Sequence, residues 1–315
     1  MDEFAQKSDR PTELQNSGIT APRMGLVTDD EIEVLKFAVD AWGSGLGCCL
    51  VTLVETRGGA PRALGAQMAV REDSLYCGFV SGGCTEAAIA AEAREALKSG
   101  ADRFFRLGDG SKFFDIVLPC GGGIEVSIHV LREVETLSAL LANIERRVRS
   151  CLFYDPDEQA LRTYPFSGQS SWEDGRFLRA YRPRPRIWLS GGIVETTVAA
   201  RVATAVRYQV HHDGAPTPQT PAIDQDTAVV ILHHDLEKEI PMLRSALDAR
   251  PFYIGALGSK RTHERRSEAL RELGYQETDI ARIKAPIGIF GKTRDSHSLA
   301  LSVLADIAKA RETEP

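Results

Sequence analysis

The sequence predicts an α/β protein in two domains: an N-terminal mixed α/β domain, then a C-terminal Rossmann-like domain with a doubly wound parallel sheet. Three observations carry this. At 315 residues and 43% hydrophobic content, the chain has material for more than one core. A basic, proline-bearing string, Arg182-Pro183-Arg184-Pro185-Arg186, separates two halves of different pattern. After it, short apolar runs alternate with helix-length stretches, as parallel βα units require; before it, hairpin-spaced strands mix with helices. The expected divisions are a disordered tail over 1–27, the mixed domain over 28–181 and the Rossmann-like domain over 182–315.

In order, Thr28-Asp29-Asp30 caps an amphipathic helix over 31–42 that stops at Gly43 and Gly45. Strands follow over 48–54, 67–70 and 76–80, then a helix over 85–97 and a strand over 104–107. The corner Pro119-Cys120-Gly121-Gly122-Gly123 opens an alternating strand over 124–131, and a helix over 133–147 and short strands near 151–154 and 178–181 lead to the linker. Beyond it, strands over 187–189, 208–211, 228–232 and 252–254 alternate with helices over 194–206, 236–249 and 260–273, and an apolar helix over 299–310 closes the chain.

The formal net charge of −6 leaves no basic surplus for a nucleic acid backbone, so no nucleic acid partner is expected. No run approaches a membrane span, and the first 27 residues lack a basic and an apolar signal region. Six cysteines, at 48, 49, 77, 84, 120 and 151, form neither a CxxC pair nor a dense disulfide scaffold, which fits a reducing, cytoplasmic setting.

Glycine-rich turns mark the candidate sites. Ser81-Gly82-Gly83-Cys84 joins a strand to a helix, so Cys84 is expected at a helix N-terminus, where free amides and the helix dipole favour an anion or a thiolate. The plain alternative for Cys84, and for Cys120 beside Gly121, is a small buried residue at a tight turn. Arg62, in Gly58-Gly59-Ala60-Pro61-Arg62, and Arg57 are planar forks suited to a phosphate; the commoner case is an isolated surface arginine. Gly258-Ser259-Lys260-Arg261 reads either as a phosphate site at a helix start or as an N-cap with a solvated basic face that includes Arg265 and Arg266. Gly191 and Gly192 stand at a dinucleotide turn, with Asp213 where a ribose-binding acid is expected, but Ser190 breaks the fingerprint. Glu86 reads as a helix cap, and His233-His234-Asp235 as loop residues without a third metal ligand.

Taken together, these strings resemble the xanthine dehydrogenase accessory family, XdhC/CoxI, from the first helix to the last. The resemblance rests on Gly58 to Arg62, Gly65 with Met68, Ser81 to Cys84 with Glu86, Cys120-Gly121-Gly122, His234-Asp235, Tyr253-Ile254-Gly255, Leu257 to Arg261, and Pro286-Ile287-Gly288. Two strings depart from the family's pattern: Ser190, and Phe290-Gly291-Lys292-Thr293 with Ser296-His297-Ser298. The resemblance implies a chaperone, not an enzyme. It would bind the molybdenum cofactor, as the pterin or its cytosine dinucleotide, shelter it during sulfuration and deliver it to a molybdenum hydroxylase. It also implies a cysteine desulfurase partner and a homodimer; the apolar residues of the closing helix suit such an interface or, equally, packing on the helix's own sheet. Arg62, Gly82, Gly83, Cys84, Cys120, Gly121, Gly191, Gly192, Gly258, Ser259, Lys260 and Arg261 are the residues expected to hold the cofactor, with Cys84 the candidate contact to molybdenum and the gap between the domains the expected seat. Two rivals stay open: an NAD(P)-dependent oxidoreductase using the Rossmann-like domain, and a docking protein that holds no cofactor.

Overall fold

The computed structural model describes residues 21–108, 121–212, 222–291 and 293–313. The chain separates into two compact units, one of residues 1–142 and 151–180, the other of 143–150 and 181–315.

The first unit starts with β1 (Arg23–Leu26), α1 (Glu31–Gly43), β2 (Cys48–Arg57), β3 (Gln67–Arg71), β4 (Leu75–Gly78), α2 (Glu86–Ser99), β5 (Arg103–Gly108) and β6 (Gly123–Val130). The strands form a six-stranded sheet in the order β1-β4-β3-β2-β6-β5. β1 runs parallel to β4 and the other pairs are antiparallel. β1 lies within the stretch expected to be a tail; four residues with one charge and one glycine give no strand signal of their own, and pairing with β4 supplies it. Asp30 caps α1, accepting from the amides of Ile32 and Glu33. The alanine-rich α2 lays Ile89, Ala90, Ala93 and Ala96 on Val51, Leu53, Met68, Val126 and Ile128 of the sheet, and Gly100 ends it in the left-handed conformation. Then come α3 (Glu135–Glu145), β7 (Ser150–Asp155), β8 (Ala160–Pro165), β9 (Ser171–Glu173) and β10 (Arg176–Tyr181). These four strands form a second sheet, ordered β8-β7-β10-β9. β8 and β9, largely exposed and polar, are strands the sequence pattern does not reveal.

In the second unit, β11 (Arg186–Gly191), α4 (Ile193–Ala205), β12 (Gln209–His212), β13 (Thr227–Leu232), α5 (Leu236–Ala249), β14 (Tyr253–Ala256), α6 (Lys260–Glu272), α7 (Glu277–Ile280), β15 (Ile283–Lys284) and α8 (Ser296–Thr313) follow one another. All five strands are parallel, in the order β12-β11-β13-β14-β15. Side-chain alternation sends Ile187, Leu189 and Val230 to one face, under α4 and α8, and Trp188, Val229 and Ile231 to the other, under α5 and α6. Of the two expectations for the apolar side of α8, packing on its own sheet accounts for most of it: Leu299, Val303, Leu304 and Ile307 are buried there, and Leu301 is exposed. No helix among the described residues is long and apolar enough to cross a membrane.

Candidate functional site

Within the first unit, three glycine corners meet. Gly122 packs so closely on the carbonyls of Arg57 and Gly59 that a side-chain carbon there would lie 2.4 Å from each, which only glycine permits. A side-chain carbon at Gly82 would touch Pro61 at 3.4 Å, and the Arg62 guanidinium lies 5.6 Å from the Phe79 ring centre. Arg179 of β10 fixes the 58–65 corner by donating to the Gly65 carbonyl and pairing with Glu31. Arg62, Gly82, Gly83, Cys84 and Gly121 therefore belong to one loop cluster.

The Ser81–Thr85 turn differs from expectation in one respect: its amides are already engaged. Gly82 and Gly83 adopt φ of 92° and 109°, which turns successive N–H groups inward. The carboxylate of Glu86, the first residue of α2, fills that concavity. It accepts from the amides of Val80, Ser81, Gly82, Gly83 and Thr85 at 2.8–3.2 Å and from the Ser81 hydroxyl at 2.8 Å. Burial acts to raise the Glu86 pKa, but the hydrogen bonds from Ser81 and Val80 outweigh it and hold the carboxyl below its ordinary value. Gly82 and Gly83 thus have no amide to offer a phosphate, because Glu86 is the anion the turn binds. What the turn presents is Cys84, the exposed cysteine among the described residues. Cys48, Cys49, Cys77 and Cys151 are buried. Burial pushes the thiols of Cys49 and Cys77 up to about 12, far from the reactive range. Arg62, half-exposed, pairs with Asp29 at 3.1 Å. Cys120 and Asp213 lie outside the described residues.

In the second unit, a cavity of about 570 Å³ opens at the carboxyl edge of the parallel sheet. Strand order reverses at β11, between β12 and β13, and such a reversal leaves a crevice where open α/β sheets bind ligands. Glu195 after β11, His234 after β13, Leu257-Gly258-Ser259 after β14 and Ile287 after β15 line it, with Phe290 and Leu299. Ser259 caps α6 by accepting from the Thr262 amide at 3.3 Å, and Lys260 and Arg261 are exposed in the same turn. Gly191 passes so near Leu232 that a side-chain carbon would come within 2.7 Å. Ser190 is buried, its hydroxyl 2.9 Å from Nε2 of His233, so the residue that breaks the glycine fingerprint ties two strand ends together. Asp295 and Ser302 at the rim serve the fold, accepting from the amides of Ser298 and Phe290. Beneath the 257–259 turn, the fully buried Arg266 pairs with Glu239 at 2.8 Å and donates to the Leu257 carbonyl at 2.8 Å. Of the two readings of this stretch, the solvated basic face does not hold for Arg266, which is fully buried and paired with Glu239 of α5.

The pattern of the XdhC and CoxI family matches residues 41–108, and that of the XdhC Rossmann domain matches residues 178–307. The chain is 50% identical over 291 residues to the molybdenum cofactor insertion chaperone PaoD of Escherichia coli, covering 92% of each chain. The chain belongs to the XdhC and CoxI family. A more distant relative, the uncharacterized E. coli protein YqeB, is 24% identical over 269 residues, which is 84% of this chain and 44% of that protein. In fold, this family member resembles a Bacillus halodurans protein described as a xanthine dehydrogenase, with a TM-score of 0.67 over 90% of this chain and 96% of the other; at 19% identity the likeness concerns fold alone. Sequence reasoning missed Glu195 as a pocket residue, since an acid in the first turn of a helix is ordinary dipole chemistry.

Proposed function

We propose that the chain is a molybdenum cofactor insertion chaperone, a carrier with no turnover of its own. The observation that carries this reading is the 50% identity to PaoD along 92% of both chains. In the first unit, Cys84 and Arg62 hold or guard the cargo, with Cys84 the thiol that meets molybdenum or sulfur; Gly82, Gly83 and Gly121 shape that corner, and Cys120 is the second candidate thiol. In the second unit, Ser259, Lys260 and Arg261 with Gly258 take the anionic part, and Gly191 and Gly192 shape the pocket edge by making room for Leu232 and the Glu195 carboxylate. The cargo is sheltered while a cysteine desulfurase supports installation of its sulfido ligand, then passes to a molybdenum hydroxylase; the carrier acts in the cytoplasm as a homodimer.

The NAD(P) oxidoreductase reading loses support at one place. Ser190 stands where the nicotinamide dinucleotide fingerprint carries its first glycine, and its buried side chain is engaged with His233.

Purification from a molybdenum-competent host, oxidation and mass spectrometry of the released pterin test the proposal. Wild-type protein is expected to carry the cofactor, and Cys84→Ser to carry several-fold less at equal folding. Tight NADH binding with no recovered pterin would overturn the reading in favour of an oxidoreductase. No pterin and unchanged client activation by Cys84→Ser would overturn it in favour of a docking protein.

A further inference from the structure

The pocket of the second unit pairs an apolar floor with one poised acceptor. Leu257, Ile287, Phe290 and Leu299 supply apolar surface, and the cavity of about 570 Å³ is sized for a ring system with a substituent. Glu195 is the third residue of α4, and its carboxylate has no hydrogen-bond or ion-pair partner among the described residues. Its Oε2 occupies space that a side chain at position 192 would fill, lying 2.4 Å from where such a carbon would stand. Gly192 itself has φ of −60°, an ordinary conformation for any residue. Backbone strain therefore does not require glycine there; room for the Glu195 carboxylate does.

An ionised carboxylate only accepts, through two oxygens, so its complement is a ligand edge that only donates. Amino-substituted pyrimidine rings supply such donors: a pterin gives two, the 2-amino group and the adjacent ring N–H, and a cytosine gives one, the 4-amino group, beside its accepting ring N3. Their oxo counterparts, lumazine and uracil, present a carbonyl there and would set oxygen against oxygen. The apolar floor stacks the ring and lowers the local dielectric, which strengthens the charged hydrogen bond. We propose that Glu195 is the specificity-determining residue of this pocket and that it selects a flat heterocycle by its exocyclic amino group. This rests on the carrier reading and adds which edge of the cargo the second unit reads.

Calorimetric titration of the full chain with pterin, lumazine, CMP and UMP tests it, on wild type, Glu195→Ala and Gly192→Ala. Wild type is expected to favour the amino-bearing member of one pair by at least ~10-fold, the scale of one charge-assisted hydrogen bond. A preference confined to pterin over lumazine identifies the ring as the pterin, and one confined to CMP over UMP identifies it as a cytosine base. Glu195→Ala is expected to lose the preference, and Gly192→Ala, which displaces the carboxylate while leaving the circular dichroism spectrum unchanged, to reduce it. Equal affinities within both pairs, no binding of any probe, or an undiminished preference in Glu195→Ala would overturn the inference. Recovery of cofactor from wild-type protein is scored separately, so a carrier that ignores the amino group sinks the inference alone, whereas a chain that carries no pterin sinks the carrier reading.

Discussion

The two units hold a glycine turn at the start of a helix by opposite means. In the first, the turn over 81–85 closes around the Glu86 carboxylate, and its inward amides end on that one group. In the second, the turn over 257–259 is held from below by Arg266, itself paired with Glu239, while Glu195 at the neighbouring α4 turn has no partner among the described residues. An acid at a helix N-terminus can thus be structure or binding chemistry. Helix position alone does not decide; the number of donors that converge on the carboxylate does.

Substitutions at the three positions would separate these roles. The largest effect is expected at Arg266, where Arg266→Ala leaves the Glu239 carboxylate buried without its counter-charge, a loss of about 3–5 kcal/mol read by denaturant unfolding. A loss near zero would mean that the pair does not brace the turn. Next, Glu86→Ala leaves several turned-in amides unsatisfied and is expected to cost about 3 kcal/mol. The same carboxyl predicts an acid response. Because its pKa is lowered in the folded state, its stabilisation is in place above the ordinary carboxylate value and disappears as pH falls through the lowered one. An unfolding series on the acid side should show a wild-type loss that Glu86→Gln lacks. The smallest effect on stability is expected at Glu195→Ala, within ~0.5 kcal/mol, since no protein hydrogen bond is lost. If Glu195→Ala instead unfolds the chain as Glu86→Ala does, the two acids play the same part and the contrast collapses.

The parallel sheet was legible in the sequence because strand and helix alternate with little interruption from Ile187 to Leu273, and the central strands β11, β13 and β14 are buried on both faces. The clustering of Arg62, Gly82, Cys84 and Gly121 was half legible: the glycines marked the turns, but only the approach of Gly122 to Gly59 and of Gly82 to Pro61 shows that those turns meet. Three things were hidden for physical reasons. β1 is made by its partner strand and not by its own propensity. Arg266 looked solvated because its counter-charge, Glu239, lies 27 residues away on another helix. The amides of Gly82 and Gly83 looked available because a nearby acid reads as a simple dipole complement until its contacts are seen.

The exposed sulfur of Cys84 rides on a loop that supplies its own anion. Such a loop is completed by its own contacts and needs no guest to close it. On the carrier reading proposed above, this matters: neither loading nor hand-over would spend energy on reshaping that loop, and the direction of transfer would be left to the relative affinities of donor and recipient.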